Sequence, residues 1–87
     1  MDTVIQRKLS RRIKELREKA GLTQEKLAEF SGVDYKHIQL LESKNPPAAK
    51  IDTVEKLARA FKITPSKLLD FWFQRFYSVV RDTLPEP

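Results

Sequence analysis

Asp34-Tyr35-Lys36-His37, followed by Gln39, gathers polar and ionisable side chains into one short stretch of the chain. Ile38 and Leu41 are spaced to face a core, so Tyr35, Lys36 and Gln39 are left together on the outer side of a helix start. The chemistry this set offers is hydrogen bonding, through an ammonium, an amide and a phenol. Bond-making chemistry is out of reach. His37 is the only histidine and there is no cysteine, so neither a catalytic triad nor a thiolate or histidine metal site can be assembled. No nucleophile stands beside a base, and no glycine-rich phosphate loop is present. The sequence therefore reads as a binding protein rather than an enzyme, with no cofactor and no metal.

A net charge of +5 and an isoelectric point near 9.7 suit a partner that carries phosphates, although the same charge also serves solubility alone. Arg7, Lys8, Arg11, Arg12, Lys14, Arg17 and Lys19 crowd the first helical segment, with only Glu15 and Glu18 among them. Such a run is commonly a solvated helix face. At 87 residues the chain is expected to form a small domain over residues 1–69, with residues 70–87 as a separate extension. It has no apolar run long enough for a membrane span and no signal-peptide core, so it is expected to act in the cytoplasm.

The elements that must position these residues are helical. From about Thr3 to Ala20, the residues Ile5, Leu9, Ile13, Leu16 and Ala20 form one apolar stripe. Gly21 ends that helix. Thr23 then caps a second helix, from about Gln24 to Phe30, while Leu22 staples onto Leu27. The device recurs with Asp34 as cap and Val33 reaching Ile38, at the start of a third helix from about Tyr35 to Glu42. It appears once more with Thr64 as cap, Pro65 at the first helical position and Ile63 meeting Leu68. Lys44 to Ala49, with paired prolines, reads as a loop. A fourth helix begins between Lys50 and Asp52 and buries Val54, Leu57, Ala58 and Phe61. No segment alternates with period two, so an all-α fold is expected.

The second and third helices are too short to persist alone and must be held by packing. Gly32 permits a sharp turn between them, and Ala28 is small enough for a close approach. Spacing alone fits either a plain αα-hairpin in a bundle or a helix-turn-helix. Three stretches go further: "IKELREKAGLTQEKLAEFSGV", the glutamate of "LLES", and "IDTVEKLARAFKITPSKLL". Over Ile13 to Leu69 the chain closely resembles the Cro/repressor-type helix-turn-helix regulators, the XRE family. The resemblance implies a five-helix DNA-binding fold whose third helix enters the major groove.

Under that resemblance, Lys36 suits guanine acceptors, Gln39 can pair with adenine, and Tyr35 offers a hydroxyl and an apolar ring. Gln24, His37, Lys44 and Asn45 are the expected phosphate contacts, which position the protein without reading sequence. Arg11, Arg12 and Lys14 are expected to supply long-range attraction. Arg17 and Glu42 match family positions that often form a bridge locking the third helix to the first, so both are read as structural. Two residues depart from the family pattern. Leu40 stands where a polar side chain is usual, and Phe30 replaces a typically charged one.

From Leu68 onward the composition turns aromatic, and an extended C-terminal helix is expected there. Trp72, Phe73, Phe76, Tyr77 and Val80 are the expected dimer interface, since this surface exceeds what one intramolecular contact covers. The other possibilities are that the tail enlarges the monomer's own core, or that it masks a toxin, as an antitoxin would. The main expectation is a homodimeric, sequence-specific transcription regulator acting on double-stranded DNA with a two-fold operator, and no membrane role.

Overall fold

The structure, a computed structural model, describes residues 4–70. Within them the chain forms five helices: α1 (Val4–Lys19), α2 (Gln24–Ser31), α3 (Tyr35–Leu41), α4 (Ile51–Ala60) and α5 (Pro65–Leu68). No strand occurs among the described residues. The expected aromatic helix, with Trp72, Phe73, Phe76, Tyr77 and Val80, lies outside them.

One core joins all five elements. Ile13 of α1, Leu27 of α2, Ile38 and Leu41 of α3, Leu57 of α4 and Leu68 of α5 are all fully buried. Each such burial contributes roughly 1.5–3 kcal/mol, and this holds together helices of seven and eight residues that would melt in isolation. α2 packs on both α3 and α4, and α4 packs on α5. Leu9, Val33, Val54 and Ala58 complete the core, with Leu16, Leu22, Ala28, Phe61 and Ile63 among the residues packed around its edge.

The apolar stripe of α1 is shorter than its periodicity suggests. Leu9 and Ile13 are buried and Leu16 is half-buried, but Ile5 and Ala20 are exposed. Sixteen residues make a rod of about 24 Å, roughly twice the length of α2 or α3, so the ends of α1 overhang the elements it covers. Ser10 is buried instead. Phe61 is only half-buried, because it caps α4 and its ring sits at the margin of the core.

The turns are set by local bonds. The Lys26 amide donates to Thr23 Oγ1 at 3.1 Å, and the Lys67 amide to Thr64 Oγ1 at 3.1 Å, so both threonines cap the helices that follow them. Asp34 differs. It precedes α3 with an extended ψ of 137°, yet its carboxylate makes no cap bond. Between α2 and α3, Gly32 adopts φ 76° and its amide donates back to the Ala28 carbonyl at 2.9 Å. That left-handed step turns the chain within three residues. The Val33 amide donates to Ser31 Oγ at 3.1 Å and fixes the exit from the turn.

α4 ends in a Schellman motif that the sequence does not advertise. The Ile63 amide donates to the Ala58 carbonyl at 2.9 Å and the Lys62 amide to the Arg59 carbonyl at 3.0 Å. The left-handed position, φ 60°, is occupied by Lys62 rather than glycine. A residue with a Cβ there costs about 1–2 kcal/mol, which exceeds the extra chain entropy that glycine would lose. Lys62→Gly is accordingly expected to stabilise the fold by about 0.5–1 kcal/mol. Thermal unfolding should read this as a rise of about 2–8 °C.

Candidate nucleic-acid interface

The outer side of α3 carries Tyr35, Lys36 and Gln39, all exposed, because Ile38 and Leu41 commit the opposite side to the core. Tyr35 and Gln39, one turn apart, touch each other: Gln39 Nε2 donates to the Tyr35 hydroxyl at 3.2 Å. This bond uses one hydrogen of the Gln39 amide and leaves its carbonyl oxygen and second amide hydrogen available for hydrogen bonding. Lys36 stands beside the pair, while His37 is half-buried. Leu40 of α3 and Phe30 of α2 are both exposed, at 47% and 58%.

What aims α3 is a cluster at its far end. Glu42 is the C-cap of α3, and its carboxylate is almost fully buried, with 3% of the side chain exposed. Arg17 of α1 meets it side-on, Nε to Oε2 at 2.8 Å and Nη2 to Oε1 at 3.0 Å. The third Arg17 nitrogen, Nη1, donates to the Leu22 carbonyl at 2.8 Å. Gln24, the first residue of α2, donates its amide to Glu42 Oε1 at 3.2 Å. Three elements thus converge on one carboxylate, and the geometry is the forked, charge-assisted kind that resists rotation. The hydrogen bond that Arg17 donates to Glu42 holds the Arg17 pKa above the ordinary arginine value, against the opposing pull of burial. The guanidinium therefore stays charged throughout the neutral range.

Gln24 is half-buried at the start of α2, and one of the two hydrogens of its amide goes to Glu42. Lys44 and Asn45 follow α3 in the loop and are both exposed, whereas Pro46 is buried and pins that loop to the body.

Two residues that periodicity did not single out also shape the site. Arg12 turns away from α3 and donates from Nη2 to the Lys67 carbonyl at 3.0 Å and from Nε to the Leu68 carbonyl at 3.3 Å. A cation at the carbonyl end of a helix is favourable, so Arg12 fastens α5 to α1. Ser10, buried on α1, donates from Oγ to the Ser43 carbonyl at 3.4 Å and so ties α1 to the end of α3. Its signal in the sequence is weak: it lies three residues before Ile13, on the same helix face. Among the described residues no cluster could hold a metal ion, and no helix is long and apolar enough to cross a membrane.

Known proteins bear on this geometry. A helix-turn-helix family model matches residues 13–68. The solved structure of the restriction-modification controller protein C.AhdI from Aeromonas hydrophila is 35% identical. It aligns over 72% of this chain and 94% of its own, with a TM-score of 0.67. A point mutant of the restriction-modification controller protein C.Esp1396I is 25% identical over 87% of this chain and 95% of its own, with a TM-score of 0.76. No curated protein sequence matches the chain.

Removing Arg17 leaves the Glu42 charge buried without its partner, at a cost of about 3–5 kcal/mol. Arg17→Ala is expected to lower the melting temperature by at least about 12 °C, while exposed Arg11→Ala stays within roughly 0.5 kcal/mol of the parent. A double-mutant cycle of Arg17→Ala with Glu42→Gln, followed by denaturant unfolding, should show strong coupling. Additive losses would contradict the bridge.

Proposed function

The chain belongs to the helix-turn-helix family, and from that premise we propose that it is a sequence-specific, DNA-binding transcription regulator that acts as a homodimer. The observation that carries the reading is the arrangement of α3. Its outer start offers an ammonium, an amide and a phenol to a ligand, while its other end is bolted through Glu42 to α1 and α2. A helix held this way can be presented to the major groove as a rigid reader. Tyr35, Lys36 and Gln39 are the base-reading residues, and the Tyr35 hydroxyl also holds the Gln39 amide in place. Gln24, His37, Lys44 and Asn45 serve the phosphates. Binding, not catalysis, is the activity, and the protein works in the compartment that holds the DNA, the cytoplasm.

The homodimer rests on two arguments. Two-fold operators call for two-fold proteins, and the sequence carries an apolar, largely aromatic run with Trp72, Phe73, Phe76, Tyr77 and Val80, a composition suited to pairing. The solved relatives control restriction-modification systems, and genes of that kind are the targets we assign to this chain. Their likeness supports a regulator over a toxin-masking module.

Selection of bound fragments from random DNA tests the reading directly, and it should return a half-site repeated with two-fold symmetry. On that site Lys36→Ala is expected to lose about 1–3 kcal/mol and to relax preference at one base pair. Lys44→Ala should weaken selected and random DNA alike. Equal effects of both variants on both DNAs would sink the division between reading and positioning. For the dimer, sedimentation should report two chains at micromolar concentration. Polar replacement of Phe73 and Phe76 should give a folded monomer that binds the two-half-site operator far more weakly.

A further inference from the structure

An open cleft of about 270 Å³ lies between α1 and the segment that follows α3. One wall is α1, where Arg7, Arg11 and Lys14 recur at the four- and three-residue steps that align side chains on one helix face. Lys44 forms the opposite wall, and Ser10 and Ser43 contribute to the lining. The Ser10–Ser43 bond joins the two walls, so the backbone segments that carry the cations are tied together before any ligand arrives. Ser43 Oγ also donates to the Leu40 carbonyl at 2.6 Å, which anchors the same segment to α3.

Glu42 is the one acid in the lining, and it does not neutralise the cleft. Both its oxygens already accept hydrogen bonds from Arg17 and Gln24, and its side chain is almost wholly withdrawn from solvent. Among the described residues, Arg11, Lys14 and Lys44 have no carboxylate within ion-pair distance. Arg12, by contrast, commits its guanidinium to the end of α5. The cleft therefore concentrates positive charge around a space large enough for a phosphate group with water about it, since one water needs only about 10–15 Å³ of comparable cavity volume. It also continues directly from the end of α3.

We infer that this cleft is a seat for one phosphate of the DNA strand running beside the half-site, held by Arg11 and Lys14 from one wall and Lys44 from the other. The inference rests on the DNA-binding reading and extends it: α1 becomes a backbone clamp rather than a distant source of attraction. The clamp reads no base. It sets how far α3 enters the groove, because Ser43 and Glu42 link the seat to the end of that helix.

The test uses the full chain and the DNA site returned by selection. Arg11→Gln with Lys14→Gln removes two exposed charges. Lys62→Gln serves as the control, because Lys62 lies at the far end of α4, about 15 Å along that helix from the loop carrying Lys44. The slope of log affinity against log salt should become shallower by about 0.9 for each phosphate that the variant no longer neutralises. This should hold on both selected and random DNA, with base preference unchanged and the control slope equal to wild type. Phosphate ethylation interference should lose one position in the double variant. Should the double variant fail to fold, Lys14→Gln alone carries the same comparison. An unchanged slope and interference pattern, with wild type still binding its site, would overturn the phosphate seat and leave the regulator reading standing. An equal fall for Lys62→Gln would also overturn it, since the effect would then be one of overall charge. Wild-type protein that prefers no DNA sequence and binds no DNA would remove both.

Discussion

Everything that α3 can do depends on one buried carboxylate. Glu42 closes that helix, and Arg17 grips it through two bonds of 2.8 and 3.0 Å while Gln24 adds a third. A seven-residue helix has too few internal hydrogen bonds to hold its own direction. Apolar packing through Ile38 and Leu41 fixes its depth, but hydrophobic contact is not directional. The forked ion pair supplies the direction. Because burying such a pair carries a large desolvation penalty, its value here lies less in net stability than in leaving α3 a single orientation relative to α1 and α2.

The division of labour along α1 follows from the small size of the domain. Such a domain buries a smaller share of its surface than a large one and has little core to spare, and its longest helix serves several neighbours at once. Leu9 and Ile13 face the core, Arg17 holds α3 and Arg12 fastens α5. Arg11 and Lys14 line the cleft beside Lys44. One cationic stretch therefore holds two internal fasteners and one outward-facing group. Their residue types are nearly interchangeable, and their roles are not.

Much of the architecture was legible because its signals are local. Thr23 and Thr64 cap their helices, Gly32 turns left-handed, and the leucines at positions 27, 57 and 68 are buried. Capping and turning involve residues within a few positions of each other, so spacing reports them. Where local reasoning failed, a distant neighbour or a missing one was responsible. Asp34 has the right type for a cap and makes no cap bond, since type alone does not fix where a carboxylate points. Ile5 continues the apolar stripe, yet it stays outside the core, 43% exposed. Lys62 takes the left-handed position that composition would give to glycine, because the Schellman closure of α4 onto Ile63 imposes it.

The amino-acid sequence by itself determined the helices, their order, the side of each that turns inward and the outward set of Tyr35, Lys36 and Gln39. Those properties depend on periodicity and on contacts a few residues apart. The Arg17–Glu42 bridge was anticipated from the family resemblance, whereas tertiary structure alone decided that Arg12 fastens the end of α5 while Arg11 and Lys14 line the cleft. It also decided that Gln24 shares Glu42 with Arg17, and that Ser10 draws the loop carrying Lys44 against α1. These pairings join residues 18 to 56 positions apart. A charge on a helix face looks the same in sequence whether a carbonyl, a carboxylate or solvent waits opposite it, and only the fold brings that partner into place.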